Sequence, residues 1–336
     1  MQYYHTRQDG TRRLFAATDG TAYDLTGAKP GLASFGALAE AAHVTDRTVD
    51  QVAEPLLDRA EAVSKDAIER DLAVPLIAEE VWAAGVTYRI SEEARTAESG
   101  MPEIYVDVYD ADRPELFLKS TPSRTVGPGD AIGVRGDSAW NVPEPELGIV
   151  LYRGEIIGYT IGNDVSSRSI EGANPLYLPQ AKIYDRCCAL GPCVTTDVTD
   201  PHDLEMSLTV DRDGTTVFEG RTTTSEMVRS CEELVSYLTR HNAIRTSRCV
   251  SPAPRSSRTR SSRSEWGTPC RPISRASASY VIRSPRSETS GNDEVSATPL
   301  GRPRAQVDSV SAGGAPEAPA SAERGSPAGT RTGTTY

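Results

Sequence analysis

Lysine is the scarcest charged residue in this chain: Lys29, Lys65, Lys119 and Lys182 are the only four among 336 residues. Acids outnumber bases 47 to 36, and a carboxylate-rich surface with so little lysine repels nucleic acid. It resembles the solvated surface of a protein from a salty cytoplasm, where screening limits self-repulsion. Aromatic residues are also few, at 6%. No run approaches the ~20 consecutive apolar residues of a membrane span, and Met1-Gln2-Tyr3-Tyr4-His5-Thr6-Arg7 lacks the apolar core of a secretory signal. These absences argue against nucleic-acid and membrane partners and for a cytoplasmic protein. The six cysteines (187, 188, 193, 231, 249 and 270) include no CxxC pair, and no His stands at zinc-finger spacing. Reduced thiols are therefore expected, with Cys187, Cys188 and Cys193 packed as small core residues.

The averaged composition hides two unlike pieces. Up to Arg245 the chain has 23 bases against 40 acids, whereas the last 91 residues hold 13 arginines, no lysine and seven acids. Residues 1–74 read as a small α/β lobe. Short strands at 13–17 and 21–25 precede a helix capped by Ser34 and a second one with Val52, Leu56, Leu57 and Ala60 on one face. Residues 75–244 read as a mostly antiparallel β domain, with strands near 80–88, 116–118 and 131–134. One hairpin spans 147–161 and turns at Arg153-Gly154; a second turns at Arg212-Asp213-Gly214, and a helix follows over 225–240. The expected class is α+β. After Ile244 the pattern stops, and a segment dominated by Ser, Pro, Arg, Gly, Ala and Thr is expected to stay disordered over 245–336.

Chemistry concentrates in Asn141-Val-Pro-Glu144-Pro-Glu146-Leu-Gly148. Two carboxylates two residues apart on a strand point to one face. A turn at 153–154 sets residue 146 opposite 161 and residue 144 opposite 163, which brings Asp164 alongside. Three converging carboxylates without basic partners repel one another and call for a cation, and oxygen ligands of this kind suit Mg²⁺, Mn²⁺ or Ca²⁺. The alternative is a solvated acidic face. Lys182, in Pro175-Leu-Tyr-Leu-Pro-Gln180-Ala-Lys182, is one of four lysines, and a lysine near a metal holds an enolate or, if its pKa is depressed, shuttles a proton.

Taken together, Glu80-Val-Trp-Ala-Ala-Gly-Val-Thr-Tyr88, Glu144-Pro-Glu146, Gly162-Asn-Asp164-Val-Ser, Gln180-Ala-Lys182 and Gly191-Pro192 resemble the fumarylacetoacetate hydrolase family from about residue 1 to Ile244. The resemblance implies a β-rich catalytic domain and a homo-oligomer. It also implies a divalent metal on Glu144, Glu146 and Asp164 that chelates a 2-oxo acid, with Lys182 beside it. Hydrolases and decarboxylases of that family carry a His shortly after the Tyr of the first motif; here Ser91 stands there. The stretches 108–124 and 174–188 instead resemble the branch that dehydrates 2-dehydro-3-deoxy-pentonates to 2,5-dioxopentanoate. On that reading the partner is a small 2-oxo sugar acid. Proton transfer falls to Lys182 and Glu115, and Arg113, Lys119 and Arg124 become substrate contacts. A C–C hydrolase, decarboxylase or tautomerase acting on another 2-oxo acid is the runner-up.

Family members continue past this helix with Thr-Gly-Thr, Gly-Asp and an Ile-Gly-x-Leu ending, all missing here. Joining the last base of each codon to the first two of the next restores them in order. Ser251-Pro-Ala-Pro254 then permits Thr-Gly-Thr, Trp266-Gly-Thr268 permits Gly-Asp, and 275–280 permits Gly-Ile-Gly-Val-Leu. A one-base deletion near codon 245 is the expectation, leaving an out-of-frame end and, if the fault is in the protein itself, an inactive enzyme; the alternative is a genuine Arg/Ser arm suited to RNA or an acidic partner.

Overall fold

The computed structural model describes residues 1–8, 10–88, 108, 111–244, 247–252, 271–272, 276–283 and 295–296. Ser91 and the sequence after 296 lie outside these residues.

The chain opens with β1 (Gln2–Gln8), β2 (Thr11–Thr18) and β3 (Thr21–Asp24), paired in sequence as antiparallel neighbours. Two helices, Phe35–Thr45 and Val49–Leu57, separate them from β4 (Ala62–Ser64) and β5 (Leu72–Ala73). Ser34 caps the first helix by accepting from Ala37 N, and Thr48 with Gln51 forms a capping box on the second. Leu38, Ala42, Val49, Ala53 and Leu56 are buried at helical spacing and pack with Tyr3, Leu14 and Val194 in one core.

Next come β6 (Glu80–Gly85), β7 (Glu115–Ser120), β8 (Thr125–Val126), β9 (Gly133–Val134) and β10 (Asn141–Val142). The long hairpin of β11 (Pro145–Tyr152) and β12 (Glu155–Asp164) turns at Arg153-Gly154, as the sequence indicates, and both turn residues have positive φ. After β13 (Ser166–Ser167), the short helices Arg168–Glu171 and Leu178–Lys182 precede β14 (Cys188–Thr195). A second hairpin, β15 (Glu205–Arg212) and β16 (Thr215–Thr223), is followed by a helix at Cys231–Thr239. That helix starts later than the sequence suggested because Ser230 caps it, accepting from Glu233 N.

The described strands close with β17 (Ser247–Pro252), β18 (Arg271–Pro272), β19 (Ala276–Arg283) and β20 (Val295–Ser296). The main sheet among the described residues runs β4-β3-β2-β1-β14-β12-β11-β17-β6-β7, with β5 on β1 and β8 on β14. The strands of the first lobe continue into the catalytic sheet, because β1 pairs with β14. One expectation changes. Regular structure does not end at Ile244: β17 lies between β11, antiparallel, and β6, parallel. Its neighbours supply backbone partners on both sides, and this ladder does not require the hydrophobic period that the side chains lack.

One consequence for stability lies in the first lobe. His5 is fully buried, and its Nε2 accepts from Phe35 N at 3.0 Å, where the first helix begins. Burial, and then the charge of Arg12, push its pKa down to about 4. The fold thus holds the imidazole neutral while the unfolded chain protonates near pH 6.5. Its contribution is complete above that pH and drains away as pH falls toward 4, by roughly 3 kcal/mol in all. Thermal melts between pH 7 and pH 4 should show this loss, and His5→Gln should flatten it.

Candidate metal-assisted active site

The sheet assembles the site through one irregularity. An unbroken ladder from the 153–154 turn sets Glu146 opposite Ile161, but the observed partner is Gly162, because Leu151 pairs with Ile156 and Val150 with Gly158, leaving Ile157 as an extra residue. Gly158 makes room for this bulge: a Cβ there would fall 2.8 Å from Val194 Cγ1 and 2.9 Å from Thr195 O. The one-residue shift sets Asp164 directly across from Glu144, where Asp164 N donates to Glu144 O at 2.9 Å.

Glu144, Glu146 and Asp164 converge as expected. Each offers a carboxylate oxygen within 4.8 Å of the other two, and none is more than 1% exposed. Lys182, at the end of the Leu178–Lys182 helix, donates from Nζ to Glu144 Oε2 at 2.6 Å and to Asp164 Oδ2 at 3.0 Å. Burial alone would lower its pKa, but Asp164 and Glu144 more than offset it and hold the ammonium well above the usual lysine range. The depressed pKa that would suit a proton shuttle is not what this arrangement produces. Asp164 balances similarly: burial raises its pKa, while Lys119 and Lys182 bring it below the usual carboxylate value.

Glu146 is in a different position. Neither of its oxygens has a hydrogen-bond partner, and the Ser251 hydroxyl, also without a bond, faces it from β17. Burial, reinforced by Asp164 and Glu144, pushes its pKa well above normal. A buried carboxyl group with no donor, beside two other carboxylates, is the observation that fits a hard divalent cation.

The other sequence candidates divide. Glu115 lines the pocket together with Gly85, Val86, Phe117, Glu144, Glu171, Leu178 and Lys182. Lys119 does not reach it as a substrate contact. Its Nζ lies 2.7 Å from Asp164 Oδ1 and donates to Val165 O at 3.0 Å and to Lys182 O, so its three N–H groups are spent behind the site. Arg113 is exposed and lies over the Tyr237 ring at 5.9 Å; Arg124 is exposed and donates to Thr121 Oγ1. Neither lines the pocket.

Three residues escape the sequence reading. Buried Arg168 bridges Glu144 and Glu171, reaching Glu171 Oε2 at 2.7 Å, and Ser166 Oγ donates to Glu144 Oε2 at 2.9 Å. The cysteines 187, 188, 193, 231 and 249 are buried and unbridged, as expected.

A continuous mixed sheet carries three buried carboxylates and two buried lysines, a donor set that suits a hard divalent cation and defines a candidate metal-assisted enzyme. The family profile described as "Fumarylacetoacetate (FAA) hydrolase C-terminal" matches residues 80–251, and the chain belongs to the fumarylacetoacetate hydrolase family. It is 63% identical over 246 residues to the "Probable 2-keto-3-deoxyxylonate dehydratase" of Haloferax volcanii, covering 73% of this chain and 85% of that protein. It is 48% identical over 178 residues to the "2-dehydro-3-deoxy-D-arabinonate dehydratase" of Saccharolobus solfataricus, covering 51% of this chain and 59% of that one. A solved structure of 2-keto-3-deoxy-D-arabinonate dehydratase complexed with magnesium and 2,5-dioxopentanoate superposes with a TM-score of 0.65 at 31% identity, over 84% of this chain and 94% of that one.

Proposed function

We propose that this chain is a magnesium-dependent hydro-lyase that converts a 2-dehydro-3-deoxy-pentonate to 2,5-dioxopentanoate. The observation that carries this reading is the donor-less Glu146 carboxyl group within the cluster of Glu144 and Asp164. The buried charges agree with it. Glu144, Glu146, Asp164 and Glu171 face Lys119, Lys182 and Arg168, and with Glu115 on the pocket wall the acids exceed the bases by two charges, which a divalent ion neutralises. When bound on Glu144, Glu146 and Asp164, such an ion supplies Lewis acidity, which makes the hydrogens beside a 2-oxo group removable.

The protein's own groups divide the remaining work. Lys182 donates toward negative charge as it builds on the substrate oxygens. Glu115 takes the proton from C3. The C4 hydroxyl departs as water with the proton that Glu115 took from C3, and a proton shift from C5 back to C3 gives the C4–C5 enol, which tautomerises to the aldehyde at C5. Phe117, Leu178 and Val86 form apolar walls that keep bulk water from competing.

The reading extends to the chain end. β17 reads Ser-Arg-Cys-Val-Ser-Pro between two apolar strands. Arg248 is crowded against Glu80, and its Nε is buried without a partner. Shifting the frame by one base joins the last base of the Arg248 codon to the TG of Cys249, and every such codon encodes Met, Leu or Val. This supports a one-base deletion near codon 245, with the apolar strand encoded in the neighbouring frame. The test follows 2-dehydro-3-deoxy-pentonate with and without Mg²⁺, for this chain and for one with the frame restored. Metal-dependent 2,5-dioxopentanoate from the restored chain alone supports both parts. Folded but inactive protein in both cases removes the substrate assignment, and a locus that encodes this frame intact removes the deletion.

A further inference from the structure

Gly85 ends β6 directly opposite Glu115 on β7. Its backbone does not need a glycine, since it is not among the residues with positive φ. What it provides is space: a Cβ at 85 would lie 2.7 Å from Glu115 Cδ and closer still to Oε2. The Glu115 carboxylate therefore folds back across the strand pair into the place where a side chain at 85 would stand. A glycine inside a strand marks the close approach of another group, and here that group is a carboxylate on the pocket wall. The neighbouring residue adds to the case. Val86 has φ 54, a conformation that β-branched residues rarely adopt, and it too lines the pocket. The end of β6 is thus shaped at backbone cost one residue from where Glu115 is seated.

Other charged groups line the same pocket. Lys182 donates to two carboxylates, and Glu171 is bonded to Arg168. We propose that Gly85 is a positioning residue whose missing side chain seats the Glu115 carboxylate over the reacting carbons of the substrate. The inference rests on the dehydratase reading for its chemistry, but the seat itself is a matter of geometry.

A double-mutant cycle tests it, read by NMR as Mg²⁺-dependent exchange of the C3 hydrogens of the substrate in D₂O, alongside Mg²⁺ titration and crystal structures. Glu115→Gln should slow exchange by roughly a hundredfold, as expected for loss of a general base. Gly85→Ala should slow it comparably, with Mg²⁺ affinity and melting temperature unchanged, because the flexible carboxylate swings away instead of the strand moving. The double variant should be no slower than Glu115→Gln alone. Near-normal exchange in Gly85→Ala, or losses that multiply in the double variant, overturns the proposal. If the parent protein exchanges nothing, the dehydratase reading fails, and the structures decide the seat: a Glu115 carboxylate left in place by Gly85→Ala overturns it.

Discussion

Glu146→Gln should abolish metal-dependent turnover while making the metal-free protein more stable. The substitution keeps the shape and removes the charge from the one carboxyl group of the cluster that has no protein donor. Mg²⁺ affinity should fall by more than about a hundredfold, the upper range for loss of even an outer partner of a metal ligand. The stability gain follows from the raised pKa of Glu146. Without metal, the folded state keeps a proton that the unfolded chain releases above its ordinary carboxylate pKa. Stability therefore drains away as pH climbs from the unfolded value to the raised folded one, and what remains at neutral pH lacks that contribution. Glu146→Gln removes this slope, and each kcal/mol recovered should raise the melting temperature by about 2–4 °C. Calorimetric Mg²⁺ titration and melts of the chelated protein at pH 5 and pH 8 measure both effects. A variant that still binds Mg²⁺ like the parent would place the metal elsewhere.

Lys119→Met should be the most damaging single change outside the ligand set. Its aliphatic stem is replaced by a chain of similar shape, but Asp164 Oδ1, Val165 O and Lys182 O lose their common donor. Breaking a buried ion pair from one side costs about 3–5 kcal/mol. If enough protein folds to assay, Mg²⁺ should bind ten- to a hundredfold more weakly, because Asp164 is no longer held in orientation. The Michaelis constant for the sugar acid at saturating Mg²⁺ should change little. A direct substrate contact would show the reverse, with a raised Michaelis constant and normal metal affinity, so paired measurements of the two constants separate the roles.

The carboxylate cluster was legible because its logic is local: two acids two residues apart on a strand, and a turn close enough to bring Asp164 back. Even so, the register was off by one residue. The bulge at Ile157 is dictated by the packing of Gly158 against β14, a contact made by residues some 35 positions away in sequence. The helix start at Ser34 could be read directly, since a cap is a three-residue event. The division of labour between Lys119 and Lys182 could not. Lys182 was singled out by rarity and Lys119 by the family resemblance, and only the fold shows that one faces the pocket while the other braces it from behind. Arg168 and Glu171 went unnoticed because a buried ion pair on a four-residue helix has no periodic signature. Ser-Arg-Cys-Val-Ser-Pro has none of the character of a central strand, yet that is where β17 lies.

The position of β17 has consequences for synthesis. Its partners, residues 80–85 and 145–152, leave the ribosome well before residues 247–252 do, and until then each presents a row of unpaired amide and carbonyl groups along an apolar face. The sheet thus waits for one of its last strands, and closure of the metal site's own scaffold is a late event that cannot be completed during elongation of the first 240 residues. Nascent chains stalled before residue 247 should recruit chaperones or pair edge to edge, whereas release of the strand should convert them to folded protein in a single step.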